Sequence, residues 1–184
     1  PPRPRANTRS AARFTATPMP MGFYDDWVKA ADEESNHFRL VNACLGTLGS
    51  VYGELPAHAG MWRAAEDTAE DLMGRLTVVP MVLEARGLDV TPGMIEIFRK
   101  AGLPDAIAAL ETIYAEEVGH VAYGSKWFHF LCGRHELDPK ETFHGLVRKY
   151  FHGALKPPFN EEKRAEAGLP PDFYWPLAER DDEV

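Results

Sequence analysis

Two copies of the pattern Glu-x-x-His lie on the apolar faces of two long amphipathic segments, Glu34 with His37 and Glu117 with His120. Residues three apart on a helix project side by side, so each copy can offer one carboxylate and one imidazole to the same ion. An ionised carboxylate that faces a protein core costs several kcal/mol unless it is paired or bound to a metal. The pattern therefore predicts helices that pack with these side chains inward, around a metal centre.

The motif by itself is weak evidence, although it occurs more often than the composition predicts. With 17 Glu and 7 His in 184 residues, chance predicts fewer than one occurrence, and three are present. The third, Glu141 with His144, follows a helix start, where an acidic residue favours the helix dipole in any case, and we interpret it as structural. For the other two copies the alternative is a buried salt bridge with Lys or Arg. Their matching positions near the middle of two long helices favour metal binding.

A third helix is expected to supply a single glutamate, because carboxylate-bridged dimetal bundles combine two such motifs with one Glu from each of two other helices. Glu66, Glu70 and Glu84 share one line of the predicted helix, so periodicity does not choose among them. We favour Glu84, since it falls near the middle of the rod if this helix continues into the next. The alternative is a surface role for Glu84, paired with Arg86 or Lys100.

The apolar periodicity predicts an all-α fold, because no segment alternates as a strand does. The predicted helices span residues 23–48, 61–86 with a kink at Pro80, 91–100 with Thr91 and Pro92 as cap and first turn, 104–132, and about 139–151 as an extra C-terminal helix. Residues 1–22 hold five prolines, four arginines and no acid, and we expect disorder there. The helical bundle then covers residues 23–155, and a proline-rich, acidic tail covers residues 156–184 and lies on the surface.

Charge and hydropathy argue against several classes of protein. Lys and Arg total 20 against 28 Asp and Glu, a net charge of −8 that does not suit a nucleic-acid surface. No apolar run approaches the roughly 20 residues that a membrane-spanning helix needs, and no signal-peptide pattern is present. Cys44 and Cys132 form no paired motif, so we expect buried free thiols. These features favour a cytoplasmic protein that binds neither nucleic acid nor membrane.

Four side chains beside the motifs have a weaker claim to function. Glu33 and Glu116 each precede a motif glutamate, and we expect them to be solvated or to hydrogen-bond to the ligands. Tyr114 and Tyr123 flank the second motif by three residues on either side. We interpret both tyrosines as core packing, with a redox or hydrogen-bonding role as the alternative.

Several strings of the chain, in order, resemble the ferritin-like family catalogued as domain of unknown function 455: FYDDWVKAADEESNHFRL, PAHAGMW, VLEARGLDVTPGMIE, EEVGHVAYGSKWF and KPPFN. The resemblance covers about residues 13–176. It implies a ferritin-like helical bundle without an established reaction. It also implies metal-ligand roles for the same five residues: Glu34, His37, Glu84, Glu117 and His120.

The chain departs from this family at its start. Members of the family have an earlier helix that contributes another glutamate and ends near the equivalent of Ala12, whereas this chain reads PPRPRANTRSAA there, without an acid. The chain also begins without Met. The explanations that stay open are a truncated chain, a misread start and the loss of one ligand. A missing helix would expose an apolar face that favours a homo-oligomer.

The main functional hypothesis is a di-iron or di-manganese oxidoreductase that acts on an unknown small-molecule substrate. We expect two ions. A five-ligand site that lacks the first-helix glutamate could still bind one ion, but its bridging of two would be impaired. Two alternatives belong to other classes of protein. One is metal storage or sequestration without turnover, and the other is a non-catalytic helical scaffold with an incomplete metal site.

Overall fold

The computed structural model describes residue 14, residues 17–151 and residues 153–178 of the chain. Within these residues the fold is helical, without a strand, and one isolated bridge joins Leu155 to Ala178. In chain order the elements are α1 (Met21–Thr47), α2 (Gly60–Asp67), α3 (Leu72–Val78), a π-helical turn (Val79–Glu84), α4 (Ala85–Ala101), α5 (Pro104–Arg134), α6 (Pro139–Tyr150), α7 (Glu161–Glu166), α8 (Pro171–Tyr174) and a 3-10 turn (Trp175–Leu177). The disorder predicted for residues 1–22 falls mostly outside the described residues.

Helix α5 is the centre of the molecule, and α1 runs antiparallel to it. Asp26 near the start of α1 accepts hydrogen bonds from Lys126 Nζ at 2.7 Å and Trp127 Nε1 at 2.8 Å, near the end of α5. The buried ring of Phe23 packs edge-on against Trp127, with ring centroids 5.5 Å apart. The predicted apolar stripes of these two helices therefore face each other, which places their Glu-x-x-His motifs at one level.

The single helix predicted over residues 61–86 is wrong in two respects. It is interrupted between α2 and α3, and it does not end at residue 86 but continues as α4. The chain breaks between α2 and α3, where the Asp71 side chain accepts a hydrogen bond from Gly74 N and caps α3. The cap predicted at Thr91 is also wrong, because α4 continues through Pro92 without interruption. Pro92 has no N–H to donate to the carbonyl of Leu88, one turn earlier, and Asn160 Nδ2 donates to that oxygen at 3.2 Å instead.

The distortion expected at Pro80 is present as the π-helical turn, which joins α3 to α4 in one rod and ends at Glu84. This turn packs closely on α5. A Cβ atom at Gly124 would lie 2.5 Å from Pro80 Cγ, so the glycine is what permits the approach. Helix α5 therefore has the rod on one side and α1 on another.

The residues after α6 enter the core, whereas a surface tail was expected. Leu169, Phe173 and Tyr174 are buried in the same apolar cluster as Phe23 and Phe128. Both cysteines are free as predicted, with Cys132 buried and Cys44 half-buried. None of the described helices has the length and apolar character that crossing a membrane requires.

Candidate metal centre

The structure brings all five predicted ligand residues together between α1, the π-helical turn and α5. They form two groups that share Glu117: a first ligand group of Glu34, His37 and Glu117, and a second ligand group of Glu84, Glu117 and His120. Within each group one donor atom per residue lies within 4.8 Å of the others. This is the geometry that the two motifs and the favoured third-helix glutamate predicted.

The other two glutamates considered for the third helix lie elsewhere. Glu66 is on α2, where it is exposed and accepts a hydrogen bond from Trp62 Nε1 at 2.7 Å. Glu70 is exposed in the break between α2 and α3. Because the helix is interrupted after residue 67, Glu66 and Glu70 do not share a helix face with Glu84. Sequence periodicity assumed one continuous helix and so could not distinguish the three residues.

The Nδ1 atoms of both histidines face the shared carboxylates. His37 Nδ1 lies 3.1 Å from Glu34 Oε1 and 3.6 Å from Glu117 Oε1. His120 Nδ1 lies 3.4 Å from Glu117 Oε2 and 3.7 Å from Glu34 Oε1. Nδ1 is therefore the nitrogen that each imidazole can offer to an ion.

The Nε2 atoms are held by the glutamates that precede each motif, and the pairing crosses between helices. His37 Nε2 on α1 lies 2.7 Å from Glu116 Oε2 on α5. His120 Nε2 on α5 lies 3.1 Å from Glu33 Oε2 on α1. A carboxylate that accepts from Nε2–H fixes the ring orientation and leaves Nδ1 for a metal. The repeated string Glu-Glu-x-x-His shows in the sequence that a second glutamate accompanies each motif. Which histidine each of these glutamates contacts follows only from the antiparallel packing of α1 and α5.

Burial and charge act in opposite directions on the titration of the histidines. Burial lowers the pKa of His120, but Glu117, Glu84 and Glu33 outweigh it and raise the pKa to about 9. Burial likewise lowers the pKa of His37, while hydrogen bonds to Glu34 and Glu116 raise it above its ordinary value overall. Burial, together with the neighbouring Glu34, raises the pKa of Glu117 above its ordinary value, although His120 lowers it. The metal-free centre therefore favours bound protons.

The donor set fits a cation. Five glutamates and two histidines lie in this cluster, so protonating both imidazoles would still leave the ionised cluster negative. Glu117 Oε2 and His120 Nδ1 are buried and have no hydrogen-bond partner of good geometry. A buried polar atom without such a partner costs about 1–3 kcal/mol, which a bound ion would offset. Carboxylates and imidazoles together suit iron or manganese.

The remaining side chains that the sequence singled out lie outside the two ligand groups. His144 donates from Nε2 to the carbonyl oxygens of Asp172 and Phe173 at 3.1 and 3.0 Å, which fits the structural role predicted for it. Tyr114 and Tyr123 are half-buried and pack against the apolar core. The Tyr114 hydroxyl also accepts a hydrogen bond from Asn160 Nδ2 at 2.7 Å, a contact that sequence reasoning missed.

Comparisons with known proteins test the family membership that the resemblance implies. An uncharacterized protein of Haemophilus influenzae (strain ATCC 51907 / DSM 11121 / KW20 / Rd) is 43% identical over 149 residues, which are 81% of this chain and 52% of that protein. The chain thus spans about half the length of this curated relative. No solved structure shows a significant match. Residues 7–175 match one protein family, and the chain belongs to that family, described as protein of unknown function (DUF455).

Proposed function

We propose that this protein holds two iron or two manganese ions between α1, the rod and α5, and that it is an oxidoreductase for a small-molecule substrate. The observation that carries the proposal is the sharing of Glu117 by two three-residue ligand groups. A carboxylate has two oxygens, so one glutamate can serve both groups at once. This arrangement is the one that carboxylate-bridged dimetal bundles use.

The proposal gives each side chain a role. Glu34 and His37 would hold one ion, Glu84 and His120 the other, and Glu117 would lie between them. Iron or manganese, when bound, would supply one-electron redox chemistry that amino-acid side chains do not provide. In the same proposal α1, the rod and α5 correspond to three helices of a ferritin-like bundle.

Solvent reaches one edge of the centre, which supports turnover of a small molecule. The Glu34 side chain is 21% exposed and that of Glu116 is 31% exposed, whereas His120 is fully buried. The exposed carboxylates mark the edge where α1 meets α5 as the side from which a small molecule would approach. The buried side, around His120 and Glu84, would hold its ligands in place.

Elemental analysis after anaerobic loading with Fe(II) or Mn(II) tests the proposal. We expect about two ions per chain, because each group offers three protein ligands, with Glu117 shared between them. One ion per chain would indicate that a first-helix glutamate is needed to hold the second ion. Glu117→Ala removes the residue that both groups share and should reduce binding of both ions, whereas Glu66→Gln, on the exposed side of α2, should bind as the wild type does.

Each contrary result favours one alternative. Absence of bound metal above background would contradict the proposal and favour the scaffold. Two bound ions in a large shell-like assembly by light scattering, without substrate turnover, would favour storage.

A further inference from the structure

The string KPPFN, residues 156–160, has no role in the ligand groups, yet it is attached to the helix that follows Glu84. Arg86 Nη1 donates to the carbonyl oxygens of Lys156 at 2.7 Å and Pro158 at 3.1 Å. Asp89 Oδ1 accepts from the backbone N–H of Asn160 at 2.9 Å. The KPPFN segment therefore lies along the first turns of α4.

The side chain of Asn160 bridges α4 and α5. Its Nδ2 donates to Leu88 O at 3.2 Å and to the Tyr114 hydroxyl at 2.7 Å. The first contact occupies the carbonyl that Pro92 leaves without its helical donor. One amide group thus compensates for a proline inside α4 and fixes that turn against a side chain of α5.

A buried ion pair holds the KPPFN segment in this position. Arg164 donates from Nε at 2.8 Å and from Nη2 at 2.7 Å to the two carboxylate oxygens of Asp89, and both side chains are almost fully buried. The guanidinium also lies over the rings of Phe159 and Tyr174, at 4.9 and 4.6 Å. The backbone N–H of Asn160 therefore donates to a carboxylate that is itself fixed by a buried guanidinium.

The bridge lies one turn from the second ligand group on both helices. Leu88 follows Glu84 by four residues on the rod, and Tyr114 precedes Glu117 by three on α5. One helical turn rises about 5.4 Å, so the bridge acts close to both carboxylates. In contrast, the contacts of Asn160 reach α4, α5 and α7 and none of them involves α1, which carries Glu34 and His37.

We infer that Asn160 is a positioning residue, which fixes the spacing between Glu84 and Glu117 and so tunes the second ligand group selectively. This inference rests on the proposed function, because it assumes that both groups bind metal. Loss of the amide would free the turn around Pro92 and let the rod move relative to α5. The first ligand group would keep its geometry, since Asp26 and the crossed Glu–His pairs join α1 to α5 independently.

The affinity of each ligand group can be measured separately by titrating two reference variants with Co(II) and following the absorption of the bound ion. His37→Ala leaves the second ligand group intact, and His120→Ala leaves the first. We expect Asn160→Ala to weaken Co(II) binding about tenfold in the His37→Ala protein and to leave the affinity of the His120→Ala protein unchanged. A change in the Co(II) spectrum of the His37→Ala protein should accompany the loss, because its ligands are displaced.

A second variant tests the same hydrogen bond from its other side, and a third serves as a control. Tyr114→Phe removes only the hydroxyl that accepts from Asn160, so we expect a loss in the same direction, and the double variant with Asn160→Ala should be no weaker than Asn160→Ala alone. Ser125→Ala is the matched control. It removes another hydrogen bond between α5 and the C-terminal segment, to Gly168 O, without touching α4, and it should bind Co(II) as its parent does.

The outcomes separate this inference from the proposed function. Equal weakening of both ligand groups by Asn160→Ala, or no weakening of either, would overturn the positioning role while the metal centre stands. Failure of the wild-type protein to bind Co(II), Fe(II) and Mn(II) would overturn the proposed function, and the positioning role with it.

Discussion

At the scale of single residues, protons and metal ions compete for the same atoms of the centre. The Nδ1 atoms of His37 and His120 face the shared carboxylates, and the carboxylates raise the pKa of both imidazoles despite their burial. A metal ion must therefore displace protons from these nitrogens. Without metal, a protonated imidazole offsets part of the repulsion among the glutamates, so the charge state of the centre is linked to the stability of the fold.

We expect the metal-free protein to lose stability as the pH rises from about 6.5 to about 9. The folded protein holds the His120 proton more tightly than the unfolded chain does, so this contribution is complete below the ordinary imidazole pKa of 6.5 and is lost as the pH passes about 9. Urea unfolding in the presence of a chelator measures the free energy of unfolding across this range. His120→Gln should flatten the slope, while His58→Gln, at an exposed position, should retain it. A wild-type stability that is constant or rises over this range would contradict the prediction.

At the scale of elements, the approach of the rod to α5 depends on one position without a side chain. Gly124→Ala would place Cβ 2.5 Å from Pro80 Cγ and 2.6 Å from Pro80 Cβ, so the π-helical turn must shift. We expect a loss of about 1–3 kcal/mol in the free energy of unfolding by urea. Metal affinity should also fall, because the same turn ends at Glu84.

Gly145→Ala is the control for this prediction. Gly145 is exposed on α6 and has no heavy atom within 4 Å of an added Cβ, so the change should be neutral or stabilise the helix by about 0.5–1 kcal/mol. If Gly124→Ala and Gly145→Ala have the same effect on unfolding, close packing at Gly124 is not what positions the rod.

The same elements show what local sequence can predict. Helices α1 and α5 begin and end within about two residues of the prediction, because long apolar stripes determine them without distant partners. Pro92 was predicted to begin a helix, and this was wrong. The amide of Asn160 compensates for the proline, and it comes from a segment far along the chain that the local sequence does not reveal. The partners of Glu33 and Glu116 also depend on antiparallel register, which no local pattern contains. The motif spacing therefore predicted which side chains lie together, but not their supporting contacts.

At the scale of the whole molecule, the two ends of the bundle differ. At one end, residues 156–178 cover the helices and bury Leu169 and Tyr174. At the other end, where α1 and α4 finish, large apolar side chains are exposed: Val41, Leu48, Val51, Tyr52, Leu55 and Ile97. The homo-oligomer expected from a missing first helix stays a prediction. Stability of the described fold thus depends strongly on how the C-terminal segment is attached.

Arg164→Met tests that dependence. The change removes the bidentate partner of the buried Asp89 carboxylate, which keeps only Arg86 Nη1 at 3.4 Å and the Asn160 N–H at 2.9 Å. We therefore expect a loss of about 3 kcal/mol, the low end of the cost of breaking a buried pair. Urea unfolding should show this loss, and adding Asp89→Asn should cost less than the sum of the single changes, since the buried charge that lacks its main partner is then gone. Lys163→Met is the matched control, because its partner Glu166 is largely exposed and the pair contributes little. Near wild-type stability of Arg164→Met would mean that the C-terminal segment is held by apolar packing alone, with the ion pair contributing only to the alignment of α4.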